Sequence, residues 1–110
     1  VKAAHPWEDE FAARLLALGD VSTRSMFGGR AIYQAGTIFA LAFAGRLYFK
    51  VDGESRGEYE ARGMGPFRPS ERQTLRSYHE VPADVLGDQE ALLAWAAEAV
   101  LASRRSARRG

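Results

Sequence analysis

Thr37-Ile38-Phe39-Ala40-Leu41-Ala42-Phe43-Ala44-Gly45-Arg46-Leu47-Tyr48-Phe49-Lys50-Val51 is the stretch that decides the fold. Its two strand-like runs, Thr37 to Ala44 and Arg46 to Val51, are split at Ala44-Gly45 or Gly45-Arg46, and a two-residue link with glycine at positive φ makes an antiparallel hairpin. Side chains alternate along a strand, so Ile38, Ala40 and Ala42 should share a face with Leu47, Phe49 and Val51. Phe39, Leu41 and Phe43 should share the other with Arg46, Tyr48 and Lys50. The first face is expected to be the core, because small alanines between large residues let a helix approach the sheet closely. The second is too apolar for open water and too charged for an ordinary core, as suits a partner groove or a homodimer interface. The alternative is that a terminal helix covers it while the Arg and Lys stems reach solvent.

On the N-terminal side, Trp7, Phe11, Leu15 and Leu18 recur at helical spacing, with Gly19 as the stop, which predicts an amphipathic helix. Ser22 to Phe27 and Arg30 to Gln34 read as two strands joined at Gly28-Gly29, with Met26-Phe27 anchoring that turn in the core. On the C-terminal side, Asp52 offers a cap for a short helix over Glu54 to Arg62, ended by Gly63. Phe67, between Pro66 and Pro69, reads as a short edge strand, and Thr74 to Val81 as the last strand. Asp88 opens a final helix with Leu92, Leu93, Trp95, Ala96, Ala99 and Val100 on its apolar stripe. Together these predict an α+β domain: an antiparallel sheet of about five strands flanked by N- and C-terminal amphipathic helices, with a short helix after the central hairpin.

The chain has 110 residues, 46% apolar and 26% charged, the composition of a globular domain rather than a disordered, collagenous or disulfide-stapled one. Residues 1–102 are read as one domain and residues 103–110 as a mobile Arg-rich tail. The split separates charge: the first 102 residues carry 11 basic against 14 acidic groups, and the tail holds Arg104, Arg105, Arg108 and Arg109. The apolar run Thr37 to Ala44 is far short of the about 20 residues a membrane span needs. With no leader pattern and no cysteine, a cytoplasmic protein without a membrane role is expected.

Catalytic motifs do not stand out. The histidines are His5 and His79; His79, between Tyr78 and Glu80 in a predicted strand, is expected at a surface or edge rather than as a base. No His/Asp/Glu grouping has metal-site spacing, and Gly28-Gly29 lacks both the P-loop Lys-Ser/Thr and a dinucleotide fingerprint. Trp7 and Trp95 lie on apolar stripes and read as core. Neither catalysis nor a cofactor is expected. Four tail arginines neutralise about four phosphates, giving a salt slope near about −3.6 without sequence readout.

Ser25-Met26-Phe27-Gly28-Gly29, Ile32-Tyr33, Gly36, Phe39-Ala40-Leu41 and Gly45 to Asp52 resemble the N-terminal domain of the TfoX/Sxy family of competence regulators. Pro66-Phe67, Tyr78-His79-Glu80-Val81-Pro82 and Leu92 to Ala96 continue the pattern, and Ala31 departs from it where a glycine is expected. The resemblance implies a bacterial α+β domain likened to type III secretion chaperones. It also implies a role in transcription regulation beside the cyclic-AMP receptor protein, with a second helix-hairpin-helix-like domain following in full-length members. The leading expectation is a non-enzymatic protein-interaction module in such regulation, using Arg30, Phe39, Leu41, Phe43, Arg46, Tyr48 and Lys50. The alternative is nonspecific nucleic-acid binding through the arginine tail. A small-molecule-binding domain or enzyme is third, and would require a polar pocket around His79.

Overall fold

Phe43 pairs with Arg46 across Ala44-Gly45, and this link is the last of three two-residue turns in a continuous antiparallel meander. In this computed structural model the backbone is described for residues 6–26 and 28–109, and side chains for 10–26 and 28–108. The expectations for His5, for Trp7 and Phe27 as core side chains, and for the Arg109 side chain lie outside the described residues. The meander comprises β1 (Val21–Met26), β2 (Gly29–Gln34), β3 (Thr37–Phe43) and β4 (Arg46–Lys50). After α2 (Arg56–Ala61) come β5 (Pro66–Ser70) and β6 (Gln73–Glu80), completing a six-stranded sheet in the order β1-β2-β3-β4-β6-β5. The α+β class is as predicted, with six strands where about five were expected.

Each turn of the meander carries glycine at its second position, Gly28, Gly36 and Gly45, all at positive φ. Ala35 and Ala44 precede two of them at φ 50° and 53°, so both central residues are left-handed, matching the twist of the flanking strands.

Helix α1 (Pro6–Leu15) runs into a 3-10 turn at Leu16–Leu18. It packs with α4 (Gln89–Arg109) on one face of the sheet. Phe11, Leu15, Leu92, Ala96, Ala99 and Val100 from the helices meet Ile32, Ala40, Ala42, Leu47, Phe49 and Val51 from the strands. Alanines face each other across this layer, as the close-approach argument requires. Asp88 opens α4 as predicted, its Oδ1 accepting the N–H groups of Glu90 at 3.1 Å and Ala91 at 3.2 Å. A short α3 (Ala83–Leu86), not anticipated from the sequence, bridges β6 and α4.

Two expectations need correction. First, Phe39 does not lie on the outer face. Ile32 pairs with Ala40 but Tyr33 pairs with Ile38, so Phe39 is the extra residue of a β-bulge. It is fully buried on the helix side, 6.1 Å from the Phe49 ring. Strict alternation fails across a bulge, and Ile38 moves to the outer cluster instead. Second, residues 103–109 are not a mobile tail: α4 continues through them to Arg109. The Ser103 hydroxyl donates to the Ile38 carbonyl at 2.6 Å and Arg105 is held by carboxylates, which fixes the last turns against the body.

Candidate interaction surface

The outer sheet face is a second small core. Ala31, Leu41, Tyr48 and Tyr78 are buried there around Phe67 of β5, itself 0% exposed. The Phe67 ring sits 4.7 Å from that of Tyr48 and edge-on to Phe43 at 5.4 Å. In a flat sheet β5 would lie two strands, about 10 Å, from β4. The β5–β6 edge therefore folds over the face, helped by irregular pairing between Pro66 and Ser70. The chain's own last hairpin, rather than a terminal helix, packs over Leu41 and Tyr48.

What remains accessible is a rim. Tyr33, Ile38 and Phe43 are half-buried along it. Cations lie against aromatic rings: Arg24 is 5.9 Å from the Tyr33 centroid and Lys50 5.2 Å from that of Tyr78. Exposed Arg46 binds Glu80 at 3.0 Å. Burial pushes the Tyr78 hydroxyl up to about 12 and lowers the Lys50 ammonium, against the pull of Asp52. Of the seven predicted surface residues, Leu41, Phe43, Arg46, Tyr48 and Lys50 share this face, whereas Phe39 and Arg30 do not. Arg30 pairs with Ala42 on the helix side, with Nη1 3.5 Å from Thr23 Oγ1. Arg24 and Tyr33 were missed, although the alternation of β1 and β2 in the sequence carried the signal.

The tail arginines have separate fates. Arg105 Nε donates to Asp52 Oδ2 at 2.6 Å, and its Nη2 to Asp52 Oδ1 at 3.2 Å and to Glu98 at 2.8 Å. Asp52 Oδ1 also accepts the N–H groups of Glu54 and Ser55 at 3.1 Å each, so it caps the turn leading into α2. Chiefly because of Arg105, then these N–H groups, the Asp52 carboxyl is held well below the usual carboxylate range despite its burial. The Asp52 cap was legible in the sequence; its partner 53 residues on was not. Arg104 donates to Gln34 at 2.8 Å. With Arg108 it borders a groove of about 570 Å³ beside Thr37 and Ile38. Arg105 being committed, at most three arginines of this helix end remain for phosphate, which reduces the expected slope to about −2.7.

His79 is neither at the surface nor on an edge strand. It is 4% exposed on internal strand β6, with its ring 6.1 Å from Tyr59. Desolvation lowers its pKa, Glu60 opposing and Arg56 reinforcing that shift. A histidine lowered in the folded state contributes stability that is complete above its ordinary value of 6.5 and is lost as pH falls through it. Urea unfolding at pH 7.5 and pH 5.5 should therefore show a loss of stability in acid that is smaller in His79→Gln; an equal loss in the variant would assign the pH dependence elsewhere.

Trp95 is half-buried and packs against the helix-side core: it stacks edge-on to Tyr59 at 4.9 Å, carries Arg62 over its ring at 5.0 Å, and walls a cleft of about 400 Å³ with Glu58, Glu98 and Arg105. Among the described residues no group of three or more His, Asp or Glu could hold a metal ion, and no helix is long and apolar enough to cross a membrane.

A twisted meander backed by two helices on one side, and closed by its own folded-over hairpin on the other, defines an α+β domain with a cation-rimmed aromatic face. The chain belongs to the TfoX N-terminal domain family, whose model matches residues 13–103, as the sequence resemblance indicated. It is also similar to the DNA transformation protein TfoX1 of Aliivibrio fischeri, with 32% identity over 68 residues. That match covers 62% of this chain and 32% of the relative, so the chain spans about a third of that protein's length.

Proposed function

We propose that this chain is a non-enzymatic, cytoplasmic protein-interaction module in competence-related transcription regulation, engaging its partner through the rim of the outer sheet face. The observation that carries the reading is the strip Tyr33, Ile38 and Phe43, half-buried and bordered by Arg24 and Arg46 on a sheet whose deeper residues are closed by Phe67. Aromatic anchors beside arginines are what interfaces are enriched in. Family membership supports the regulatory setting, and the relative's name supports a link to DNA transformation. The partner this reading favours is a component of the transcription machinery, with the cyclic-AMP receptor protein as the first candidate.

The test is surface plasmon resonance against the cyclic-AMP receptor protein and RNA polymerase, using Arg24→Glu/Arg46→Glu and, separately, Tyr33→Ser. Both leave Phe43 packed on Phe67. Binding weakened by about tenfold or more with an unchanged circular dichroism spectrum is expected; undiminished binding would remove this face from the function. A second reading, nucleic-acid contact through Arg104 and Arg108, is favoured by their position along the groove beside Thr37 and Ile38. In the same assay against duplex DNA, Arg104→Gln/Arg108→Gln should abolish binding if that reading holds, and leave it unchanged if it does not.

A further inference from the structure

The cleft of about 400 Å³ that Trp95 walls lies between α2 and α4, and its volume is within the range of small-molecule sites. Glu54 and Glu58 border it from the α2 side and Glu98 from α4; Tyr59 and Arg105 line it as well. It is separate from the rim described above, because Tyr59 and Trp95 pack with the helix-side core whereas Tyr33, Ile38 and Phe43 belong to the outer one.

Three features of the cleft point to a cationic ligand. The first is Tyr59, 3% exposed and packed edge-on to Trp95 at 4.9 Å, whose hydroxyl forms no hydrogen bond among the described residues. That oxygen is not sealed in; it is the polar end of an otherwise buried ring, opening on the cleft the residue lines. Burial, then the charges of Glu98 and Glu58, push the hydroxyl up, so it sits within reach of carboxylates from both walls. A buried phenol usually finds a partner, and here the fold supplies none. The second feature is charge. Arg105 is shared among Asp52 at 2.6 Å, Glu98 at 2.8 Å and Glu54 at 3.6 Å, and Arg62, over the Trp95 ring, is matched by Asp84 at 2.7 Å. Among the described residues Glu58 has no salt bridge, and Glu98 engages Arg105 through Oε2 alone. The surplus of negative charge repels anions and concentrates cations. The third is spacing. Among the described residues no three carboxylates converge as a metal site needs. Carboxylates on two walls, with an indole and a phenol, suit an extended organic cation whose methylenes lie on the rings.

We propose that this cleft binds an aliphatic amine bearing two or more ammonium groups, one donating to the Tyr59 oxygen and Glu58, another to Glu98, with the methylenes between them against Trp95. The cleft is a binding site and requires no covalent step. Its occupant would join α2 to α4 beside the Asp52–Arg105 ion pair, which already ties the entry of α2 to the end of α4.

The experiment is NMR titration of the full ¹⁵N-labelled chain at pH 7.5 and constant ionic strength. Spermidine, butylammonium and Nα-acetylarginine methylamide are added in separate series against sodium chloride. The Trp95 indole N–H signal should shift saturably with spermidine, at a half-saturation about tenfold below that of either singly charged probe. Tyr59→Phe should weaken spermidine by about tenfold and melt at the wild-type temperature, because the oxygen it removes bonds nothing in the fold. Glu58→Gln, at an exposed position, should weaken it by about threefold. If Tyr59→Phe does not fold, Glu58→Gln decides. No saturable shift with spermidine, equal or tighter binding of a singly charged probe, or undiminished affinity in folded Tyr59→Phe overturns the proposal, and none of these results bears on partner binding at the outer rim.

Discussion

Gly29→Ala should destabilise the protein by about 3 kcal/mol, at the upper end of the usual cost of overpacking. Gly29 begins β2, opposite Met26 and beside β3. A methyl built on its Cα collides with the carbonyl oxygen of Ala42, with the Ala42 carbonyl carbon and Phe43 Cα each only 3.2 Å away. All three atoms are backbone, so no side chain can rotate aside, and the start of β2 must be pushed away from β3. For a domain of this size the melting temperature should fall by roughly 12–24 °C. Gly57→Ala is the control: its new methyl meets nothing within 4 Å. It sits inside α2, where exchanging glycine for alanine should add up to about 1 kcal/mol. Thermal melts of the two variants followed by circular dichroism make the comparison. Equal melting temperatures for Gly29→Ala and wild type would show that β2 and β3 do not need this close approach.

Removing the carboxylate of Asp52 should have the next largest effect. Asp52 is 6% exposed and ties three segments together: it caps the turn into α2, receives the Nε/Nη2 edge of the Arg105 guanidinium with both carboxylate oxygens, and through Arg105 reaches Glu98. Asp52→Ala is expected to cost about 2 kcal/mol at pH 7, the top of the range for a lost cap, because it also leaves Arg105 without its main partner. Asp52→Asn keeps the acceptor oxygen and should cost less. The pH dependence has a definite sign. A carboxyl whose folded pKa is depressed contributes stability that is present above its ordinary value of 3.8 and lost as pH falls below it. Denaturant unfolding should therefore show the gap between wild type and Asp52→Asn narrowing below about pH 4, near the ordinary carboxylate value. A gap constant down to pH 2 would mean that the pair contributes nothing through charge. Ending the chain at Ala102 would remove Arg105 and Ser103 together, so arginine-to-glutamine variants are the cleaner probe of nucleic-acid binding.

These effects mark where the sequence was readable. Hairpins were legible because Ala44-Gly45 and Ala35-Gly36 each combine a short link with a glycine that accepts positive φ, and local chain geometry alone fixes such a turn. Helix α4 was legible as far as its apolar stripe ran, and the Ala40/Ala42 face was assigned correctly because alternation is also a local property. Phe39 was not, since a bulge depends on how β3 meets β2, and nothing within β3 records it. Likewise Ser103-Arg104-Arg105 reads as polar and unpartnered until the chain brings Asp52, Glu98 and the Ile38 carbonyl beside it.

His79 shows the same division. In the sequence it reads as a surface or edge residue, whereas the fold buries it beside Tyr59. Local spacing determined the α+β class, the turns, most strand faces and the family pattern, because each depends on residues within a few positions of one another. Tertiary structure alone decided that Phe67 closes the outer face, that Arg105 clamps α4 and that His79 is buried, because each depends on residues that the fold, rather than the chain's order, makes neighbours.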